Sequence, residues 1–184
     1  MSNRAPNWSR VRLHVVSGKG GTGKTTVAAA LALALARGGK KVLLLEVENR
    51  QGIAQLFDTA PLPYKETRIA VAEDGGVVYA LPIDAEAALL EYLEMFYGLK
   101  RGGYALRKLG AIDFATTIAP GLRDVLLTGK ASEAVKRGEK TGRLAYDAVV
   151  MDAPPTGRIT RFLNVNTEIA GLAKVGPIRS QADS

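Results

Sequence analysis

The sequence predicts an α/β fold, a doubly wound and mostly parallel sheet with helices on both faces. Three observations carry this. First, "VRLHVVS" (11–17), "TTVAAALALALARGG" (25–39) and "KVLLLEV" (41–47) follow one another as strand, helix and strand, which is a βαβ unit. Second, the apolar runs at 41–47 and in "YDAVVMD" (146–152) are continuous, the pattern of strands covered on both faces. Third, the three strong strands run out into Ser17, Glu48 and Asp152. Open α/β sheets bind ligands beyond the carboxyl ends of their strands, so these residues are expected to share one site.

Each element has a local reason. Residues 1–10 are polar and read as a flexible N-terminus ahead of a domain spanning 11–184. The helix at 25–39 is rich in alanine and leucine and is stopped by glycine. "ETRIAVAE" and "GVVYALPI" read as two strands of a hairpin turning at "DGG". Asp84 is placed to cap "AEAALLEYLEMFYG", whose Leu89, Leu90, Leu93, Phe96 and Tyr97 form an apolar stripe. Residues 98–118 are punctuated by glycine and lean to helix, and Pro120 starts "GLRDVLLTGKASEAVKR". The segment from about 84 to 140 therefore reads as a helical insert. After the last strand, "APPTG" leads into a short helical stretch.

Composition narrows the chemistry. The chain has 184 residues, no cysteine and one histidine, His14. Thiolate metal sites and cysteine nucleophiles are excluded, and a reducing, cytoplasmic location is expected. His14 has no second histidine to build a site with and reads as a packing residue. The net charge is +7, with basic clusters at Lys100, Arg101, Arg107 and Lys108 and at Lys136, Arg137, Lys140 and Arg143. A solvated helix face is favoured over a nucleic-acid surface, because aromatic residues are not interleaved and acids flank the second cluster. "VAAALALALA" follows a glycine loop and is too short to span a bilayer.

"SGKGGTGKTT" (17–26) carries the main signal. Gly18, Gly20 and Gly23 satisfy the dinucleotide pattern G-x-G-x-x-G, with Glu46 or Glu48 near the position of its ribose acid. Gly18, Gly23, Lys24 and Thr25 also satisfy the P-loop pattern G-x-x-x-x-G-K-[ST]. In a chain this rich in glycine the first pattern arises by chance roughly once in four, the second roughly once in a hundred. Only the P-loop gives Lys24 and Thr25 work. Its amides, from Gly18 through Gly20, Gly21, Thr22 and Gly23 to Thr26, would cradle the phosphates of ATP. Lys24 would reach the β- and γ-phosphates, and the Thr25 hydroxyl would ligate Mg²⁺.

The early lysine, Lys19, makes "KGGTGKT" resemble the deviant P-loop of the ATPases that include the nitrogenase iron protein, the partition ATPases and the arsenite-pump and tail-anchored-protein-targeting ATPases. The resemblance implies a SIMIBI-type P-loop NTPase in which Lys19 touches phosphates held by a second subunit, either a twin or a paralogue. "DAPPTGRITRFL" (152–163) resembles the D-T-A-P-T-G-H-T-L-R-x-L segment of the arsenite-pump and tail-anchored-targeting branch. On that match Asp152 holds Mg²⁺ through water, while Pro155, Thr156 and Gly157 sense the γ-phosphate. "VLLLEVENRQGIAQLF" is similar to the first switch, and "APGLRDVLLTGK" to a later helix. The similarity runs from residue 11 to about 180 and is nearest to the actinobacterial anion-transporting ATPase homologues.

Three departures qualify it. Glu48 stands where the family has an aspartate that positions the attacking water, with Arg50 and Gln51 as candidate helpers. Without cysteine the chain has no soft ligand for arsenite. The chain is about half the length of its relatives, so it is expected to stop inside its domain. The adenine pocket would then lie beyond residue 184, and the sheet would keep a bare edge. The resulting expectation is an ATP- and Mg²⁺-dependent ATPase. Its homodimer or paralogous heterodimer would switch conformation for a client or membrane protein, at or near a membrane surface. Rival readings are a non-hydrolysing nucleotide-gated adaptor, a partition-type DNA-associated ATPase and a phosphotransferase on the same scaffold.

Overall fold

The computed structural model describes residues 11–48, 50–97 and 122–160. The first basic cluster, the stretch 98–118 and the N-terminal residues 1–10 lie outside them, as do residues 161–184.

Five strands form one sheet. They are β1 (Leu13–Val16), β2 (Lys41–Glu46), β3 (Thr67–Val71), β4 (Val77–Pro82) and β5 (Ala148–Asp152), in the order β1-β5-β2-β4-β3. All neighbours are parallel except β3 and β4, which form the expected antiparallel hairpin. The strand before the glycine loop and the strand ending at Asp152 are adjacent, with Val16 opposite Asp152. Glu46 at the end of β2 also lies opposite Asp152. The parallel registers thus bring the three strand ends to one side of the sheet, as the sequence reading expected.

The helices are α1 (Lys24–Ala36), α2 (Gly52–Leu56), α3 (Ala85–Tyr97) and α4 (Leu122–Lys136). Because side chains alternate along a strand, β2 feeds two cores. Val42 and Leu44 pack with Ala28, Ala29, Ala32 and Ala36 of α1, while Leu43 and Leu45 pack with Leu127, Ala131 and Ala134 of α4. Alanine on α1 lets that helix approach the sheet closely. Helices on both faces make the sheet doubly wound, the predicted class.

Some boundaries differ from the sequence reading. Helix α1 ends at Ala36, because Arg37 leaves helical geometry and Gly38 and Gly39 take positive φ in the turn. Helix α2 carries no periodic signal long enough to read. It starts at Gln51, held at φ 57°, whose side-chain amide donates to the Leu62 carbonyl at 3.2 Å and accepts from the Leu62 N–H at 2.7 Å. Gln51 thereby holds the loop after α2.

The Asp84 cap is present, accepting from the Ala87 N–H at 2.9 Å. His14 is buried and its Nε2 lies 3.0 Å from the Val11 carbonyl, in keeping with a packing role. In the second basic cluster, Arg137 is engaged inward, with Glu133 at 2.7 Å and Glu66 at 2.5 Å. Glu66 also accepts from the Tyr146 hydroxyl at 2.5 Å, so the loop before β3 is tied to α4 and to the approach to β5. The Arg137 guanidinium is thus committed to two carboxylates within the fold.

Candidate functional site: the glycine loop and the ends of β2 and β5

Beyond β1 the chain turns sharply through the glycine loop. The Thr22 hydroxyl donates to the Lys19 carbonyl at 2.7 Å, which closes the turn. Gly21 and Gly23 both sit at φ 79°, a region costly for any residue with a Cβ. At Gly18 the restriction is space: an added Cβ would lie 3.0 Å from Thr22 Oγ1 and 3.4 Å from Lys24 Cγ. The Lys24 stem therefore lies against Gly18, with the loop wrapped around it.

Helix α1 begins at Lys24 with Gly23 as its N-cap. Gly23 has no side chain to cap the first amides, and the first turn carries no acid. The positive end of the helix thus faces the loop unneutralised, an arrangement suited to an anion.

The loop after β5 is bonded to this turn. Ser17 Oγ donates to the Pro154 carbonyl at 2.7 Å, and the Thr156 N–H donates to the Gly18 carbonyl at 3.2 Å. The Pro155 carbonyl accepts from the Arg158 and Ile159 amides at 2.8 and 3.1 Å, opening the short helical stretch expected after "APPTG". Any movement of the loop after β5 is thereby felt by the glycine loop.

At the centre, Thr25 Oγ1 donates to Asp152 Oδ2 at 2.6 Å. Glu46 accepts from the Gly52 N–H through Oε1 at 2.7 Å, which pins the first turn of α2 to the end of β2. A Cβ added at Gly52 would lie 3.4 Å from Thr25 Cγ2, so α1, α2, β2 and β5 meet here. Glu46 and Asp152 are buried, and Glu46 Oε2 and Asp152 Oδ1 have no hydrogen-bond partner among the described residues.

The electrostatics follow from that burial. Desolvation pushes the Glu46 carboxyl above the usual range, opposed by the Gly52 and Ile53 amides and reinforced by neighbouring Asp152. Desolvation likewise raises Asp152, opposed by the Thr25 hydroxyl and the charge of Lys24 and reinforced by Glu48. Two buried carboxylates with spare oxygens beside a threonine hydroxyl are short of positive charge. Hard oxygen donors of this kind fit Mg²⁺, which takes one or two carboxylates and completes its shell with water and phosphate oxygens.

The remaining expected residues are distributed as follows. Glu48 is partly buried, lies electrostatically close to Asp152 and pairs with Arg50 at 3.6 Å. Lys19, Gly20, Gly21, Thr22, Gly23 and Thr26 are exposed. Pro155 is partly covered, and Thr156 and Gly157 are exposed. In the sequence Glu46 stood out as a possible ribose acid of the dinucleotide pattern. The structure puts it against the loop that carries Glu48 and beside Asp152. The available signal was a lone acid inside the otherwise apolar "VLLLEV".

The geometry agrees with the comparisons. The sequence matches the family described as anion-transporting ATPase over residues 11–181. It is 66% identical to the ATPase BagA of Mycobacterium tuberculosis over 175 residues, covering 95% of this chain and 52% of that protein. It is 29% identical to the ATPase get3 of Schizosaccharomyces japonicus over 167 residues, covering 90% of this chain and 48% of that protein. The chain thus spans about half the length of these relatives. Among the described residues no helix is long and apolar enough to cross a membrane. On the match over residues 11–181, nearly its whole length, this chain belongs to the anion-transporting ATPase family.

Proposed function

We propose that this chain carries the phosphate-binding and magnesium-binding site of an ATP-hydrolysing switch. The observation that carries the reading is the contact of Thr25 Oγ1 with Asp152 Oδ2 at 2.6 Å, at the foot of a helix without a side-chain cap and beside two carboxylate oxygens unpartnered among the described residues. Thr25 and Asp152 would hold Mg²⁺, which would supply positive charge against the phosphates. Thr25 would turn its hydroxyl oxygen toward the cation, and Asp152 would orient the surrounding water. The loop amides and Lys24 would hold the phosphates, and Glu48 would orient the attacking water once released from Arg50.

The switch would run through contacts already present. The glycine loop is bonded to the β5 loop at Gly18–Thr156 and Ser17–Pro154, and Glu46 ties β2 to α2. A change at the phosphates would reach α2 and the helical stretch at 156–160. Lys19 is exposed, as a cation offered to a second subunit must be. The names of the relatives support ATP as the nucleotide. A client or membrane partner, acting on a dimer, is the reading that accords with the family.

Binding of a fluorescent ATP analogue with and without Mg²⁺, together with phosphate release, tests this. Lys24→Ala and Asp152→Asn should lose Mg²⁺-dependent binding, whereas Lys19→Ala should keep binding and lose release. If Lys24→Ala binds the analogue as well as wild type does, the reading is wrong. If wild type binds but releases no phosphate, and Glu48→Asp restores release, the chain is a nucleotide-gated adaptor.

A further inference from the structure

Next to the site just described, a cavity of about 180 Å³ opens between the loop after β2, the first turn of α4 and the loop after β5. Three arginines are among its lining residues, Arg50, Arg123 and Arg158, one from each segment. Glu48 and Asp124 are the acids in its wall. The lining therefore carries three positive charges against two negative.

The positive charges are only weakly satisfied. Arg50 is 74% exposed and meets Glu48 at 3.6 Å, a loose pair. The Arg123 and Arg158 side chains have no ion pair or hydrogen bond among the described residues. Three segments distant in sequence thus place unspent cations around one concavity. Guanidinium presents planar paired donors that match carboxylate and phosphate oxygens, which a lone solvated arginine does not exploit. An anion held here would offset the excess positive charge of the lining.

We infer that this pocket is a second anion site, separate from the glycine loop, for a small oxyanion bearing a phosphate or carboxylate group. Arg123 and Arg158 are its principal donors. Arg50 joins them by leaving Glu48. The inference rests on the pocket alone and holds whether or not the chain hydrolyses ATP.

Calorimetric titration of the 184-residue chain with sodium phosphate, in EDTA at fixed ionic strength, tests it. The glycine loop also offers a phosphate site, so the titration is run on Lys24→Ala. That variant should retain one saturable site, weakened at least tenfold by adding Arg123→Ala and Arg158→Ala. Arg123→Lys with Arg158→Lys, which keeps charge and loses the fork, should fall in between and provides the reading should the alanine variant fail to fold. Succinate is titrated in parallel: tighter phosphate binding points to phosphate, such as a hydrolysis product, and tighter succinate binding to a carboxylate ligand. The inference is overturned if Lys24→Ala abolishes all phosphate and succinate binding, or if removing both arginines leaves the affinities unchanged. ATP-analogue binding by wild type, measured separately, reports on the glycine loop and keeps the two failures apart.

Discussion

Glu46 and Asp152 stand opposite one another at the carboxyl ends of β2 and β5, both buried, each with one carboxylate oxygen unpartnered among the described residues. Desolvation raises both carboxyls; the charge of Asp152 adds to the rise at Glu46, and that of Glu48 to the rise at Asp152. A raised folded-state pKa means that stability is complete below the unfolded value and is lost as pH rises through the folded one.

Glu46→Gln should therefore stabilise the nucleotide-free chain at pH 7.5, by about 1–2 kcal/mol, the scale of one uncompensated buried polar group. The amide carbonyl introduced by the substitution can still accept from the Gly52 N–H. The gain should shrink as pH falls toward 4.5, because burial raises the Glu46 carboxyl and favours its neutral form. Urea denaturation across that range checks this. A gain that is flat with pH would mean that charge is not the cause.

Mg²⁺ with ADP should stabilise wild type more than Asp152→Asn. The substitution removes the charge that the cation would neutralise, so thermal shifts with and without Mg²⁺ should converge in the variant.

Gly23→Ala should impair the loop through its backbone. At φ 79° an alanine costs about 1–2 kcal/mol. The expected result is a modest loss of stability together with at least tenfold weaker ATP-analogue binding, since the amides following Gly23 move with it.

Arg137→Ala should release α4 from the loop before β3, costing about 1–2 kcal/mol in urea denaturation. Burial alone would raise the Glu133 carboxyl, but the Arg137 bonds and charge outweigh it and lower the value. A lowered carboxylate contributes stability above its unfolded pKa and loses it as pH falls. Wild type should therefore lose more stability than the variant on acidification below pH 4.5.

Glu48→Gln should keep analogue binding and lower phosphate release by about 10²-fold or more, the usual scale for removing a group that positions or activates a reactant. Equal release by both proteins would assign water positioning elsewhere.

Much of this was readable along the chain. The βαβ pattern, the hairpin at "DGG", the Asp84 cap and the phosphate loop are local, and local propensity and spacing encode them. The continuous apolar β2 announced a strand covered on both faces, and α1 and α4 cover it. The role of Glu46 was not readable, because a strand-end acid looks the same whether it faces water or a second carboxylate. Nor was the fate of Arg137, whose partner Glu66 lies 71 positions away. The sequence by itself determined which short segments can bend, cap and form the glycine loop, since those abilities reside in neighbouring residues. Only the tertiary structure decided that β5 lies between β1 and β2, and so that Asp152 meets both Thr25 and Glu46 and three distant arginines share one pocket. Such meetings depend on strand order and register, which non-local packing sets and no single stretch of sequence contains.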